Sequence, residues 1–504
     1  MAEGPQTLID LLEAPQQSRT AVIAPERDLK LSYADLRRFV SQAAEGLRAL
    51  GVKPGDHMAF VAPNGPEFIF GYLGALEAGT ACQPINPQLK PDEVDFAVED
   101  SSAVLTLVVA GSEGTLHGTR VPQGRRAVLR FDGGSVAIEG RPIGPPQKGG
   151  GPSGDSDALI LYTSGTTSRP KAVPLTHKNL VTSARNVADS YQLTADDVTM
   201  LVMPLFHVHG LVAATFATLL RGGTIIAPPR FSASGFWDPV RQYRATWYTA
   251  VPTIHTILLN SVTDSDAKSA GQFRFVRSCS SALAAPTQAQ YEETFGVPVL
   301  QAYGMTEAAH QIATNPLPPG DRREDSVGLP YGVDVAILGD AGDALPSGAE
   351  GEVALRGPNV TRGYLHNPNA NRDAFTNGWF RTGDSGYIDA DGYIYLSGRL
   401  KELINRAGEK ISPHEVDAAL LSHPSVYEAV AIAVPHPIYG EEVEAVVALK
   451  PGHSADAAEL ISFCRDRIAD FKVPKAIRFV AEVPRSATGK IQRRRLLELL
   501  PPVS

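Results

Sequence analysis

From about Leu31 to Ile312, helix-period segments alternate with short apolar or β-branched runs, among them HMAFVA at 57 to 62, ALILYT at 158 to 163 and TIIAPP at 224 to 229. Core-facing residues recur every second position in a strand and every third or fourth in a helix. The repeated switch of period therefore predicts an α/β unit with largely parallel sheets. No period of solenoid length accompanies it. A chain of 504 residues is also too long for one hydrophobic core, so two or more domains are expected.

After Gly351 the texture changes to short alternating strands and turns, GEVALRG and then GWFRTGDSGYIDADGYIYLSGR, which predicts a small β-rich subdomain closing the large unit. Beyond Arg399 follows an α+β pattern: helix-like SPHEVDAALLSHP, strand-like EAVAIAVP and EAVVALK, and a helix AAELISFCRDRI. A boundary at Gly398 to Lys401 divides an N-terminal domain, 1 to 398, from a small C-terminal domain, 399 to 504. The Gly-, Pro- and Ser-rich stretch Pro142 to Asp157 reads as a mobile surface loop ahead of ALILYT.

The formal net charge of −9 argues against a nucleic-acid or polybasic membrane surface, since both need a cationic face. Cys82, Cys279 and Cys464 lie far apart, in neither a CxxC nor a Cys/His array, so neither a disulfide framework nor a zinc site is implied. The N-terminus MAEGPQTLIDLLE lacks the basic and apolar regions of a signal peptide, and PPVS is not an SKL-type address. A cytoplasmic enzyme is expected. Leu201 to Leu220 is apolar enough to suggest a membrane span, but Pro204, His207, His209 and Gly210 within it favour buried core.

The sharpest local signal is Thr163-Ser164-Gly165-Thr166-Thr167-Ser168-Arg169-Pro170-Lys171, directly after a predicted strand. Hydroxyls, a glycine-opened backbone and two cations can wrap a polyphosphate. A Walker A loop is excluded, because Pro170 precedes Lys171 and Ala172 follows it. Further on, Tyr303-Gly304-Met305-Thr306-Glu307 offers an aromatic for a base, a tight turn, a hydroxyl for a phosphate and a carboxylate for Mg²⁺. Thr382-Gly383-Asp384 sets a carboxylate at a turn, able to accept from both ribose hydroxyls. Gly398-Arg399-Leu400-Lys401 puts two cations at the domain joint, and Ser486-Ala487-Thr488-Gly489-Lys490 puts a lysine on a glycine turn near the terminus. Taken singly, the last three read equally well as solvated turns.

In this order and at these separations, the five motifs resemble the adenylate-forming superfamily of acyl-CoA synthetases, peptide-synthetase adenylation domains and firefly-type luciferases. The resemblance spans nearly the whole chain, and only Ser168-Arg169 departs from the commoner phosphate loop. It implies ATP, Mg²⁺ and, as co-substrate, coenzyme A. Thr163 to Lys171 would hold the β- and γ-phosphates, with Thr167 and Glu307 on Mg²⁺. Tyr303 would stack on adenine, with Gly304, Met305, Ser281 and Ala282 beside the nucleotide. Asp384 and Arg399 would fix the ribose, and Thr306 would touch the α-phosphate.

The implied chemistry has two steps. A carboxylate first attacks the α-phosphorus and pyrophosphate leaves, with Lys490 as the mobile cation. A thiol must then reach the acyl group, so the C-terminal domain rotates about a hinge at Lys401, Gly408 faces the adenylate, and His207 gates the thiol's tunnel.

Members of the superfamily that take fatty or aromatic acids line the acyl pocket with glycine and apolar groups. Here the matching positions read Ser278-Cys279-Ser280-Ser281 and, after Glu307, Ala308-Ala309-His310-Gln311. With His207 and His209 they predict a short pocket ringed by donors, suited to a second carboxylate. HVHG, RSCSSAL and YGMTEAAHQI together resemble the oxalate–CoA ligases of plants and fungi. The expected acid is oxalate. A medium-chain or coumarate-like acid, or loading of a carrier protein, is the alternative; neither nucleic acid, membrane insertion nor an obligate protein partner is inferred.

Overall fold

A computed structural model describes residues 5–13, 16–163, 170–407, 409–484, 493 and 496. The N-terminal part is built on two large sheets. The first has seven strands: His57–Val61, Ala81–Ile85, Leu105–Val109 and their neighbours run parallel, and antiparallel pairs close both edges. The second has nine strands, with Thr20–Ala24, Thr224–Ile226, Val198–Met200, Trp247–Ala250, Phe275–Ser278 and Val299–Met305 forming its parallel interior. Its reach exceeds what the periodicity indicates, because Thr20–Ala24 lies ahead of Leu31 yet pairs with a strand some 200 residues on. The expected α/β class with parallel-rich sheets is what the chain adopts.

Strand interiors of both sheets are buried and rich in Val, Ile, Leu and Phe, as sheets covered on both faces require. The apolar stretch after Leu201 is core: His209–Phe216 forms a buried π-helical segment continuing into Ala217–Leu220. Its entry is tight. A Cβ on Gly210 would lie 2.3 Å from the Pro204 carbonyl oxygen, so only glycine lets the helix start there. Among the described residues no helix is long and apolar enough to cross a membrane.

The β-rich subdomain is a five-stranded sheet, Asp334–Leu338, Gly351–Arg356, Phe375–Thr376, Trp379–Ile388 and Ile394–Arg399. It begins before Gly351, since Asp334–Leu338 is its edge strand. The segment Pro142 to Asp157 holds no regular element before Asp157 and is largely exposed. Beyond Arg399, strands Ile404–Arg406, Glu409–Ile411, Val426–His436, Gly440–Leu449 and Ala476–Phe479 form a separate sheet. Helices Pro413–Leu421 and Ala457–Arg465 cover it around its own core, which includes Ile404, Val416, Leu420, Val443 and Leu460.

Candidate active site

The strand Asp157–Thr163 turns back into Lys171–Thr176, with Thr163 paired to Lys171. The phosphate-loop residues 164–169, Ser164, Gly165, Thr166 and Thr167 included, lie outside the described residues, as do Gly408 and Lys490. The two ends of the loop are defined, however. Thr163 and Lys171 mark its mouth, and the Lys171 ammonium sits 4.6 Å from the centroid of the Tyr364 ring.

Tyr364 leads to the carboxylate of the second motif, since its hydroxyl donates to Glu307 Oε1 at 3.0 Å. Glu307 follows the strand Val299–Met305 on a short 3-10 turn, Thr306–Ala308, and is buried. Burial pushes its carboxyl above the ordinary carboxylate range, against the lowering effect of its own backbone amide, of Tyr364 and of Arg399. A buried carboxylate is a hard, under-solvated oxygen donor of the kind that binds Mg²⁺ jointly with substrate phosphates. Among the described residues no cluster of three or more His, Cys, Asp or Glu side chains could hold a metal by itself, so phosphate oxygens would have to complete the shell.

Tyr303, on the same strand, is buried and donates its hydroxyl to Asp384 Oδ2. Burial first, and Asp384 second, raise that phenol well above its ordinary range, so it remains a donor. Asp384 pairs in register with Arg399 across antiparallel strands, and Arg399 Nε meets Asp384 Oδ1 at 3.0 Å. The turn is fixed from behind: Thr382 Oγ1 donates to the Val353 carbonyl at 2.7 Å, the Asp384 amide donates to Thr382 Oγ1 at 3.0 Å, and Gly383 takes the left-handed φ of +75°. Gly304 packs against His310, whose carbonyl oxygen would lie 2.2 Å from any added Cβ. Met305 and Thr306 are half-buried beside them. The structure thus brings Tyr303, Glu307, Asp384, Arg399, Tyr364 and Lys171 into one connected region.

A second polar constellation stands behind the Val299–Met305 strand. His209 Nε2 and Thr249 Oγ1 are 2.6 Å apart, His209 Nδ1 and Ser280 Oγ are 3.0 Å apart, and the His209 and His310 rings stack at 4.9 Å. Ser280 and His310 hold the left-handed φ values of +74° and +106°. Backbone strain of this kind persists only where the surroundings enforce it. Asn359 does so for His310, donating to the carbonyls of Ala308 at 3.0 Å and Gln311 at 2.9 Å. His207 lies half-buried at the turn before the π-helical segment, its ring against Phe206. Ser281 and Ala282 are exposed on the loop after Phe275–Ser278.

Three residues of this region were assigned no role from the sequence, although Arg277 opens the RSCSSAL stretch. Tyr364 and Asn359 sit in the loop after Gly351–Arg356, remote from any motif. Arg277 is the third. It projects from Phe275–Ser278 with no exposed surface and donates to Tyr191 Oη at 2.9 Å, Thr249 Oγ1 at 3.1 Å and Gln311 Oε1 at 2.8 Å, with His310 Nε2 at 3.0 Å. The signal that could have found it is a charged residue in step with Phe275 on an otherwise apolar strand.

A nucleotide-type site at the junction of two α/β sheets and a small β subdomain, with a separate α+β unit following, defines an adenylate-forming enzyme. The AMP-binding enzyme family matches residues 13–365, and the AMP-binding enzyme C-terminal domain matches 415–490. The chain belongs to the AMP-binding enzyme family. It is 43% identical to an oxalate–CoA ligase of Arabidopsis thaliana over 92% of each chain, and 41% identical to one of Saccharomyces cerevisiae over 95% of this chain and 94% of that one. ATP-bound MatB from Rhodopseudomonas palustris superposes with a TM-score of 0.86 at 31% identity, covering 98% of both chains. Within the family the chain falls with the AMP-forming acid–CoA ligases and resembles the oxalate–CoA ligases.

Proposed function

We propose that this enzyme converts oxalate, ATP and CoA to oxalyl-CoA, AMP and pyrophosphate. The observation that supports it is the cluster of His209, Ser280 and His310 at the positions where an acyl pocket is expected. An alkyl or aryl chain offers these polar groups nothing to hydrogen-bond, whereas a carboxylate can accept from donors among them. The identity to relatives that carry the name oxalate–CoA ligase supports the same choice.

In the first step one carboxylate oxygen of the acid bonds to the α-phosphorus and pyrophosphate departs. Thr163, Lys171 and the loop between them hold the phosphates, Thr306 faces the α-phosphate, and Asp384 with Arg399 fixes the ribose. Mg²⁺, held by Glu307 and Thr167, would supply charge neutralisation at the phosphates. Lys490 stabilises the charge that builds in this step. In the second step the thiol sulfur bonds to the acyl carbon, AMP leaves and the thiol proton is released. The C-terminal domain, taken from residue 399 and hinged at Lys401, moves between the steps, with Gly408 facing the adenylate and His207 at the thiol's entrance. The free, buried thiols of Cys82, Cys279 and Cys464 suit a reducing compartment such as the cytoplasm.

ATP–pyrophosphate exchange across oxalate, malonate, octanoate and 4-coumarate tests this reading. Oxalate is expected to support the fastest exchange. Efficient exchange with octanoate or 4-coumarate and negligible exchange with oxalate would reject it.

A further inference from the structure

Arg277 is a fully buried cation whose hydrogen-bond partners are all neutral groups. The acidic groups that act on it most are the Tyr191 phenol, itself raised by burial, and the Cys279 thiol, and among the described residues no carboxylate forms an ion pair with it. A cation held without a counter-ion in a low-dielectric interior is costly, and an anion arriving nearby would offset that cost. Holding Tyr191, Thr249 and Gln311 together would need donors only. The charge itself is surplus to that task.

Its surroundings show where the anion would come. Thr249 pairs with Arg277 across neighbouring parallel strands, so both side chains leave the sheet on one face. Thr249 Oγ1 accepts from Arg277 at 3.1 Å and lies 2.6 Å from His209 Nε2, and His209 in turn meets Ser280. Along a second branch Arg277 Nη1 reaches His310 Nε2 at 3.0 Å. A guanidinium only donates, so His310 Nε2 must accept and a neutral His310 carries its proton on Nδ1. One branch therefore sets the guanidinium a single side chain behind His209, and the other sets it directly behind His310.

We infer that Arg277 is the specificity-determining charge of the acid pocket: a positioning residue that selects a dicarboxylate over a monocarboxylate through its field and through the fixed histidines in front of it. The inference rests on the oxalate reading and adds the residue that enforces it. Oxamate is the matching probe, because it has nearly the shape of oxalate but carries an amide in place of the second carboxylate.

The test is kcat/KM in ATP–pyrophosphate exchange for oxalate and for oxamate, in the full-length wild type, Arg277→Gln and Arg277→Lys. The oxalate-to-oxamate ratio is expected to fall about tenfold or more in Arg277→Gln, as loss of a nearby unscreened charge implies, and to be largely kept in Arg277→Lys. If Arg277→Gln does not fold, Gln311→Glu places a carboxylate against the same guanidinium and is expected to lower the ratio in the same way. Equal losses for both acids in these variants would make Arg277 a packing residue and overturn the inference while leaving oxalate as the substrate. A wild type with no preference for oxalate over oxamate would overturn both.

Discussion

The hydroxyl of Tyr364 donates to Glu307 Oε1 at 3.0 Å while its ring lies under Lys171, tying the carboxylate of the YGMTE motif to the last residue of the phosphate loop. Tyr364→Phe removes a donor to a buried carboxylate, a loss of roughly 1 to 3 kcal/mol. Adenylation is expected to slow about tenfold or more, with a weaker apparent Mg²⁺ affinity. Unchanged Mg²⁺ titrations would place Tyr364 outside the metal's surroundings.

Glu307 carries a pH signature. Burial raises its carboxyl, so in the ligand-free protein the folded state holds the proton more tightly than the unfolded state. Its contribution to stability is present below the unfolded pKa, about 4.3, and is lost as pH rises through the folded value. Glu307→Gln is expected to match the wild type in Tm near pH 4 and to exceed it increasingly toward pH 8. The same variant should lose about 100-fold or more in adenylation, because the amide cannot hold a hard cation as a carboxylate does. A Tm difference that is flat with pH, or largest in acid, would contradict the assignment.

Asp384 is aimed by Tyr303 and Arg399. Asp384→Asn keeps the shape but replaces one acceptor by a donor, so KM for ATP is expected to rise about tenfold or more, from the loss of charge-assisted hydrogen bonds to the ribose. The KM for the acid should move little. A loss confined to the acid would show that this carboxylate does not serve the nucleotide.

The two half-reactions are expected to separate. Lys490→Ala should slow adenylation by several orders of magnitude while preformed acyl-adenylate still reacts with CoA. Lys401→Pro should do the reverse, since proline fixes φ at the joint and hinders the domain movement. Equal losses in both half-reactions would reject this division for Lys490, and intact overall turnover in Lys401→Pro would move the hinge elsewhere.

Three residues beyond Lys490, Arg493 pairs with Asp417 on the helix Pro413–Leu421 and donates to the Ala431 carbonyl at 2.8 Å. Burial alone would raise the Asp417 carboxyl, but Arg493 and His414 more than reverse it. Arg493→Met leaves that buried carboxylate with the Ala431 amide and His414 but without its guanidinium partner, a cost of about 3 kcal/mol or more. Denaturant unfolding should show the C-terminal unit weakened, with much of the loss recovered when Asp417→Leu is added. A cost below about 1 kcal/mol would match an exposed ion pair instead.

Legibility in the sequence followed the range of the signal. HMAFVA, ALILYT and TIIAPP appear as strands His57–Val61, Asp157–Thr163 and Thr224–Ile226, because local alternation and flanking turns specify them. SPHEVDAALLSHP likewise gives Pro413–Leu421, starting at a proline that suits a first helical turn. The π-helical geometry after His209 was not legible, since a segment buried all round carries no facial pattern to read. Thr20–Ala24 escaped because its partner lies across the molecule in sequence.

At the site, Tyr303, Glu307, Asp384 and Arg399 stood out because they occur in compact motifs, and the fold brings them together. Arg277, Tyr364 and Asn359 act through contacts with residues distant in sequence, so even Arg277, which opens RSCSSAL, could not be matched to its partners from the sequence. His310 was legible as a polar residue at an acyl-pocket position; its left-handed backbone and its bond to Arg277 were not.

The most direct test of the account is kcat/KM for CoA-thioester formation with oxalate, malonate, octanoate and 4-coumarate, repeated for oxalate with His310→Ala. Oxalate is expected to be the best of the four, and His310→Ala to lower its kcat/KM by about tenfold or more, as when a pocket hydrogen bond to a charged group is lost. Preference for octanoate or 4-coumarate with negligible oxalate turnover would contradict it, and an unaffected His310→Ala would remove that histidine from the pocket.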